Sequence, residues 1–387
     1  MGEEVKNLYV HFPFCRGKCT YCALYSKAGV SLSDRETYVK NLTRAISSLF
    51  PPLLEHPLRG LASLGGYLPH SPFPIPLSTI YFGGGSPALC DLTPIFKALE
   101  PLIDKNTEFT VELHPLDATE DTLKMLRDGG VNRISMGVQS LNDDVLMHMR
   151  RGYTFDIAEK SFDLIKKYFD NAGIDLIIGY PGDQWGQSPR LKRLASWGLK
   201  HCSAYSLILE ENSALYKLTQ MGTVPLKLYS DEEIMDELTF ISQFLSDIGL
   251  KRYEISNYSI PGYECRHNMA TWSGEDYYGL GIGAHGRVGL KRTRNWWGEP
   301  HDTLPTPLFP QWGQSPEVET VSEKFDFKER KIFSLRTAKG LDIGDCPHWA
   351  QKLDHFVDEG LLKKENLVYR LTERGFEVCD TILAELI

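Results

Sequence analysis

The chain has 387 residues, 42% hydrophobic and 24% charged, a composition suited to one barrel-sized globular domain plus a smaller one. A net charge of −9 with no run of Lys or Arg argues against nucleic-acid binding, because phosphate contact needs a basic patch. No apolar stretch reaches the length of a membrane span and no leader-like start is seen, so neither is expected; peripheral association with a membrane stays open.

The first element, Leu8–Phe12, reads as a strand that breaks at Pro13 into a loop carrying Cys15, Cys19 and Cys22. This C-x3-C-x2-C spacing places three thiolates on one loop. Three corners of a cubic iron–sulfur cluster can be held that way, with the fourth iron open to another ligand. A zinc site is the competing reading, although structural zinc wants four ligands and position 24 is Leu24. The other five cysteines are scattered singly, which suits a reducing compartment, with the cytoplasm as default.

Ser31 to Phe50 reads as a helix with Tyr38, Leu42, Ala45, Ile46 and Leu49 on its apolar stripe. The proline-rich stretch 51–76 reads as a surface excursion. Strands are then expected at 78–82, 108–113, 133–139, 174–178 and 203–209, alternating with helices at 94–102, 119–127, 142–149 and 157–169. With the first strand this makes six, and the alternation implies a parallel sheet, either an open doubly wound one or an incomplete barrel. In both folds functional residues gather at the C-terminal strand ends. The cysteines, Gly83-Gly84-Gly85-Ser86-Pro87, Glu112-Leu-His114-Pro115, Gln139-Ser140 and Gly179-Tyr-Pro-Gly182 all fall there.

A helix over 231–250 and a strand over 252–257 follow, then a glycine- and aromatic-rich segment to Trp297. A proline-rich linker spans 303–317. The C-terminal unit is expected to hold helices at 325–335, 349–359 and 373–386 with a hairpin strand at 367–371, a helix–helix–wing arrangement. Gly281-Ile-Gly283-Ala-His-Gly286 matches a dinucleotide fingerprint in letters, but no good helix follows it, and a nicotinamide site is rejected. Cys265-Arg-His267-Asn268 sits beside aromatics, so His267 is a candidate axial iron ligand as well as an ordinary loop histidine. Glu112 suits a ribose hydroxyl or an amino group, or a surface salt bridge. Gln139, Arg151 and Asp175 are polar residues near the next strand ends, and each alone reads as structural.

The cysteine spacing with Tyr21 before the third Cys, together with Gly83–Pro87 as a GGGTP-like element, resembles the radical S-adenosylmethionine superfamily. Tyr9-Val-His-Phe-Pro-Phe-Cys15, Arg133–Ser140, Asp175–Gly182 and Tyr253–Asn257 are similar to the anaerobic coproporphyrinogen oxidase-like family. Within it the chain looks more like the HemW-type heme chaperones than the true oxidase, since Cys22-Ala-Leu24 replaces a C-x-C. Two positions depart from the family pattern: Thr271 stands for the tyrosine of H-N-x-x-Y-W, and His114 stands for the usual Asn.

The resemblance implies an α/β fold, an incomplete (β/α)6 radical-SAM barrel over residues 1–300 with the insertion at 51–76, and a small C-terminal HemN-like helical and winged domain over 318–387. It implies a 4Fe-4S cluster on Cys15, Cys19 and Cys22, whose open iron takes the amino and carboxylate groups of S-adenosylmethionine. Tyr9, Tyr21, Gly84, Gly85, Ser86, Glu112, Gln139, Arg151 and Asp175 would contact that molecule, and His267 would bind heme. The implied function is a cytoplasmic heme chaperone that passes heme to acceptor proteins. The alternative is an oxygen-independent coproporphyrinogen III oxidase, or another tetrapyrrole-modifying enzyme.

Overall fold

Six strands lie parallel and adjacent in chain order: β1 (Asn7–Phe12), β2 (Thr79–Gly84), β3 (Glu108–Leu113), β4 (Arg133–Gln139), β5 (Asn171–Ile178) and β6 (His201–Ser206). This is seen in a computed structural model that describes residues 5–50, 76–224, 227–294 and 317–386. The expected excursion at 51–76 and linker at 303–317 fall almost wholly outside those residues. Helices α1 (Leu32–Leu49), α2 (Thr93–Leu99), α3 (Glu120–Asp128), α4 (Asp143–His148), α5 (Phe155–Ile165) and α6 (Leu191–Ala195) alternate with the strands. Because the strand order never reverses between β1 and β6, the sheet lacks the switch point of a doubly wound fold. It curves instead into a partial barrel.

The strands alternate strictly, which parallel strands buried on both faces ordinarily do not. Leu8, Val10, Phe12, Ile80, Phe82, Phe109, Val111, Ile134, Met136, Ile174 and Leu176 face the helices and are fully buried. The opposite face carries Asn7, Tyr9, His11, Thr79, Tyr81, Glu108, Glu112, Arg133, Ser135, Asp175, His201 and Ser203, so the barrel interior is polar. Ser31 caps α1 by accepting from Asp34 N at 3.2 Å, and Tyr38, Val39, Leu42 and Ile46 pack that helix on the sheet.

After β6 come α7 (Ala214–Gln220) and α8 (Asp231–Asp247), then β7 (Lys251–Arg252), β8 (Asn257–Ser259), α9 (Arg266–Trp272), β9 (Tyr277–Leu280), β10 (His285–Val288), β11 (Lys291–Arg294) and β12 (Glu317–Thr320). They extend the sheet on both sides, giving the order β12-β11-β10-β9-β1-β2-β3-β4-β5-β6-β8-β7, with β9 parallel to β1 and β8 antiparallel to β6. The single strand expected over 252–257 is two short strands around a turn. Buried Glu254 makes that turn, accepting from Ser256 N at 3.4 Å and from the Asn257 amide and holding Trp272 Nε1 at 2.9 Å. The strand expected to reach Leu209 ends at Ser206.

Between β8 and β9, α9 crosses the N-terminal end of the barrel. Glu108 accepts from the backbone N of Arg266 (3.0 Å) and His267 (3.1 Å), and Tyr253 Oη meets both Cys265 N and His201 Nε2. The glycine fingerprint forms the β9–β10 turn. Gly281 has φ +98°, and a Cβ there would come within 2.5 Å of Tyr38 Oη and 2.8 Å of His11 O. Its glycines permit close backbone approach, not phosphate binding.

The C-terminal residues form α10 (Glu323–Ser334), β13 (Leu341–Asp342), α11 (Ala350–Asp358), β14 (Leu362–Glu365), β15 (Val368–Leu371), α12 (Glu373–Glu377) and α13 (Cys379–Ala384). The helix expected over 373–386 is interrupted at Val378, which departs from helical geometry. A three-stranded sheet, β13-β15-β14, packs on an apolar core of its own built around Leu335, Trp349, Leu353, Tyr369 and Ile382. Asp326 and Glu329 of α10 meet Arg287 of β10 at 2.7 and 3.2 Å, joining this unit to the sheet.

Candidate functional site

At the C-terminal end of the barrel lies a cavity of about 650 Å³. The cysteine loop forms one wall, its neck held by parallel pairing of Phe14–Cys15 with Lys27–Ala28. Cys15, Cys19 and Cys22 are free thiols that all line the cavity. Burial pushes the Cys15 and Cys22 thiols up, and the neighbouring cysteines add to the effect. Among the described residues no three His, Cys, Asp or Glu side chains are arranged around a single ion. A cluster places each thiolate on a different iron, and the soft donor set suits it.

The facing wall comes from the strand ends. The Gly84–Ser86 turn follows β2, and its shape depends on β1 beneath it. Gly84 has φ +99°, and a Cβ at that position would fall within 2.3 Å of the His11 ring. His11 is fixed there by Tyr9 Oη at 3.0 Å and by Tyr25 O at 2.9 Å. Glu112 projects from β3, where Tyr81 Oη donates to Oε1 at 2.9 Å and Gly84 N donates to Oε2 at 3.1 Å. Burial first, and then the charge of Asp175, push the Glu112 carboxyl up to about 7. Asp175 on β5 accepts from Ser135 Oγ at 2.9 Å.

Gln139 ends β4 at a bulge with φ +70°, a conformation that costs energy for a non-glycine residue and collects at functional sites. Arg151 donates to Gly137 O at 2.8 Å, to Tyr153 Oη at 3.0 Å and to Cys19 Sγ at 3.4 Å. It therefore ties the β4 end to the cysteine loop. The cavity thus brings together Cys15, Cys19, Cys22, Tyr21, Gly84, Gly85, Ser86, Glu112, Gln139, Arg151 and Asp175. Tyr9 is not part of its lining; it lies lower in the barrel, 6.0 Å from the Tyr81 ring.

His267 is also elsewhere. It sits at the far, N-terminal end of the barrel, 6% exposed, with its ring 5.2 Å from Tyr81. The hydrogen bonds settle its tautomer. Asn7 Nδ2 donates to Glu275 Oε2 and Asp276 O, so Asn7 Oδ1 is the acceptor for Thr79 Oγ1 at 2.8 Å. With its one proton committed, Thr79 Oγ1 accepts from His267 Nδ1 at 2.8 Å, leaving the Nε2 lone pair for a metal. Burial, then Arg133, push its pKa down to about 3, so the imidazole is neutral.

Several contributors escaped the reading of the sequence. Tyr81 and Tyr205 line the cavity, and a strict period of two through β2 and β6 would have found both. Asp117 and Thr20 hold the cysteine loop, and nothing local to either residue announces it. His114, where the family pattern has Asn, accepts from Leu116 N at 3.3 Å and so caps the turn as an Asn side chain would.

A family model described as the radical SAM superfamily matches residues 71–195. The heme chaperone HemW of Bacillus subtilis is 31% identical over 99% of this chain and 100% of its own length. The chain belongs to the HemW heme chaperone family. The HemW of Lactococcus lactis is 27% identical over 100% of this chain and 98% of its own length, and that of Synechocystis is 32% identical over 74% and 68%. Among solved structures, coproporphyrinogen III oxidase (HemN) from Escherichia coli superposes with a TM-score of 0.73, covering 98% of this chain and 89% of that one at 20% identity. That likeness speaks for the fold. It accounts for the partial barrel with appended strands and C-terminal unit that this HemW-family chain displays.

Proposed function

We propose that the protein is a heme chaperone that binds heme and a 4Fe-4S cluster with exchangeable S-adenosylmethionine, and transfers heme to acceptor proteins. The end-to-end correspondence with curated HemW proteins carries the heme part of this reading. The cavity carries the rest. Cys15, Cys19 and Cys22 hold the cluster there, and when bound it supplies an electron source and an open iron for the amino and carboxylate groups of S-adenosylmethionine.

Gly84, Gly85 and Ser86 contact the bound molecule on one side, with Glu112 set to face its sulfonium and accept from its amino group. Tyr21, Gln139, Arg151 and Asp175 complete the enclosure, and Tyr9 supports it from below through His11. The division into a barrel unit over 1–300 and a winged unit over 318–387 belongs to the same proposal, supported by the separate apolar core of the latter. The clustered thiols suit a reducing compartment, and we assign the cytoplasm. No helix among the described residues is long and apolar enough to cross a membrane.

For heme we assign His267 as an iron ligand through Nε2, supported by its neutral state and its Nδ1–H tautomer. Because the ring is buried, heme access requires α9 to move away from Glu108. His267→Ala is expected to lose most heme binding in a titration followed by the heme absorption band. Thr79→Val, which keeps the shape but removes the partner of Nδ1, is expected to weaken heme binding about tenfold. Unchanged affinity in His267→Ala would overturn the ligand assignment. A parallel anaerobic incubation with coproporphyrinogen III, S-adenosylmethionine and reductant is expected to give no protoporphyrinogen; its formation would replace the chaperone reading with the oxidase.

A further inference from the structure

Three segments that wall the cavity converge on one carboxylate outside the set of residues already assigned. Asp117 ends the short 3-10 turn Pro115–Asp117 that follows β3, and its side chain is 2% exposed. Oδ2 accepts from Ser86 Oγ at 2.6 Å, in the glycine-rich turn after β2. Oδ1 accepts from Arg16 Nε at 2.7 Å and pairs with the Nη2 of the same guanidinium. Arg16 lies in the spacer between Cys15 and Cys19, so this bond grips the cysteine loop between two of its thiols.

The turn that carries Asp117 is itself immobilised. Asp117 N donates to His114 O at 2.8 Å, His114 Nδ1 receives Leu116 N, and Ser161 Oγ of α5 donates to Pro115 O at 2.9 Å. Stability alone does not explain the arrangement. Arg16 is 47% exposed, and ion pairs with such partners contribute little, whereas sequestering the carboxylate has a desolvation cost. What the pair does provide is a fixed distance between two loops.

We propose that Asp117 is a positioning residue that sets the cysteine loop against the Gly84–Ser86 turn, so that cluster and S-adenosylmethionine share one geometry. The inference rests on the cysteine loop bearing a cluster. An amide replaces the carboxylate poorly: with its one oxygen turned to Arg16 it presents NH2 to Ser86 Oγ, which must then accept instead of donate, and the charge that grips the guanidinium is gone. Asn therefore loosens the grip on Arg16 and, through it, on the cysteine loop.

The test uses the full chain reconstituted anaerobically with iron and sulfide, as wild type, Asp117→Asn, Arg16→Ala and the double variant. Iron content, S-adenosylmethionine affinity by equilibrium dialysis and the electron paramagnetic resonance of the reduced cluster are measured, with thermal melting of the apo chains. In both single variants, affinity is expected to fall about tenfold, equivalent to about 1.4 kcal/mol, with a diminished S-adenosylmethionine-induced spectral shift. The double variant is expected to be no worse than Asp117→Asn, because the two residues act as one unit. Arg16→Ala keeps the inference testable should Asp117→Asn fold poorly. Single variants within twofold of wild type with an unchanged shift, or additive losses, would overturn the proposal. So would a defect confined to Asp117→Asn together with a lowered melting temperature, which assigns the residue to stability alone. A wild type that takes up no iron and sulfide overturns the cluster reading instead, so the two failures are distinguishable.

Discussion

Cys19→Ala is expected to leave a folded, colourless chain. Reconstitution of the wild type should give about four irons per chain, and the variant should retain fewer than one. The expectation is this severe because the loop offers three thiols and no fourth: Leu24 stands nearby, and the remaining cysteines of the chain are buried elsewhere. The fold should survive because the loop is secured by other residues. Thr20 N donates to Met149 O at 3.3 Å, Thr20 Oγ1 meets Tyr180 Oη at 2.7 Å, and Leu215 N donates to Thr20 O at 2.7 Å. Circular dichroism should therefore match that of the wild type while iron, sulfide and visible absorbance are lost. An intact brown chromophore in Cys19→Ala would refute the cluster assignment.

The second large effect belongs to Glu112 and is one of pH. In the folded chain its carboxyl titrates near 7 instead of 4.5, so it is mostly protonated at pH 6 and mostly ionised at pH 8. A raised carboxyl pKa means that folding favours the proton-bound form. The associated stability is fully present below about 4.5 and is lost as pH rises through about 7, a difference of about 3 kcal/mol. Apo Glu112→Gln should lack this loss and unfold at higher denaturant concentration than the wild type at pH 8.

Ligand affinity should move the other way. S-adenosylmethionine brings a sulfonium, and its amino group, a neutral NH2 once it ligates iron, remains a hydrogen-bond donor; the ionised carboxylate is the form that attracts the first and accepts from the second. Loss of the amino proton on iron ligation makes affinity rise with pH in every variant, and Glu112 is expected to add about a further tenfold between pH 6 and 8 in the wild type that Glu112→Gln lacks, so that the variant binds more weakly at pH 8. Equilibrium dialysis at three pH values decides it. Equal slopes in the wild type and Glu112→Gln would mean that Glu112 is not the group meeting the cation.

Much of the site was legible because its chemistry is written in short, contiguous runs. Cys15, Cys19 and Cys22 share one loop. Gly84, Gly85 and Ser86 share one turn, and Glu112 and Gln139 fall near the ends of strands whose periodicity is plain, whereas Asp175, expected near a strand end, lies within β5. The order of strands and helices follows from the same periodicity, since apolar alternation needs only near neighbours to be seen. The turn at Glu254 was read as strand because the residues around it favour β structure locally. A buried carboxylate bonded to Trp272, far along the chain, overrides that preference.

The sequence by itself thus determined the cysteine loop, the glycine-rich turn, the six-strand rhythm and the family resemblance. Tertiary structure decided where these parts meet. Pairing of β9 with β1 joins residues about 270 positions apart, and no local pattern specifies it. The same long-range closure carries His267 to the N-terminal end of the barrel, away from the cavity. Pairing of β1, β2 and β3 side by side brings Arg16, Ser86 and Asp117 together, three residues unremarkable in their own segments. Hydrophobic alternation fixes which face of a strand is buried, but the contacts made on the polar face depend on barrel curvature and strand register, and these emerge only when the whole sheet assembles.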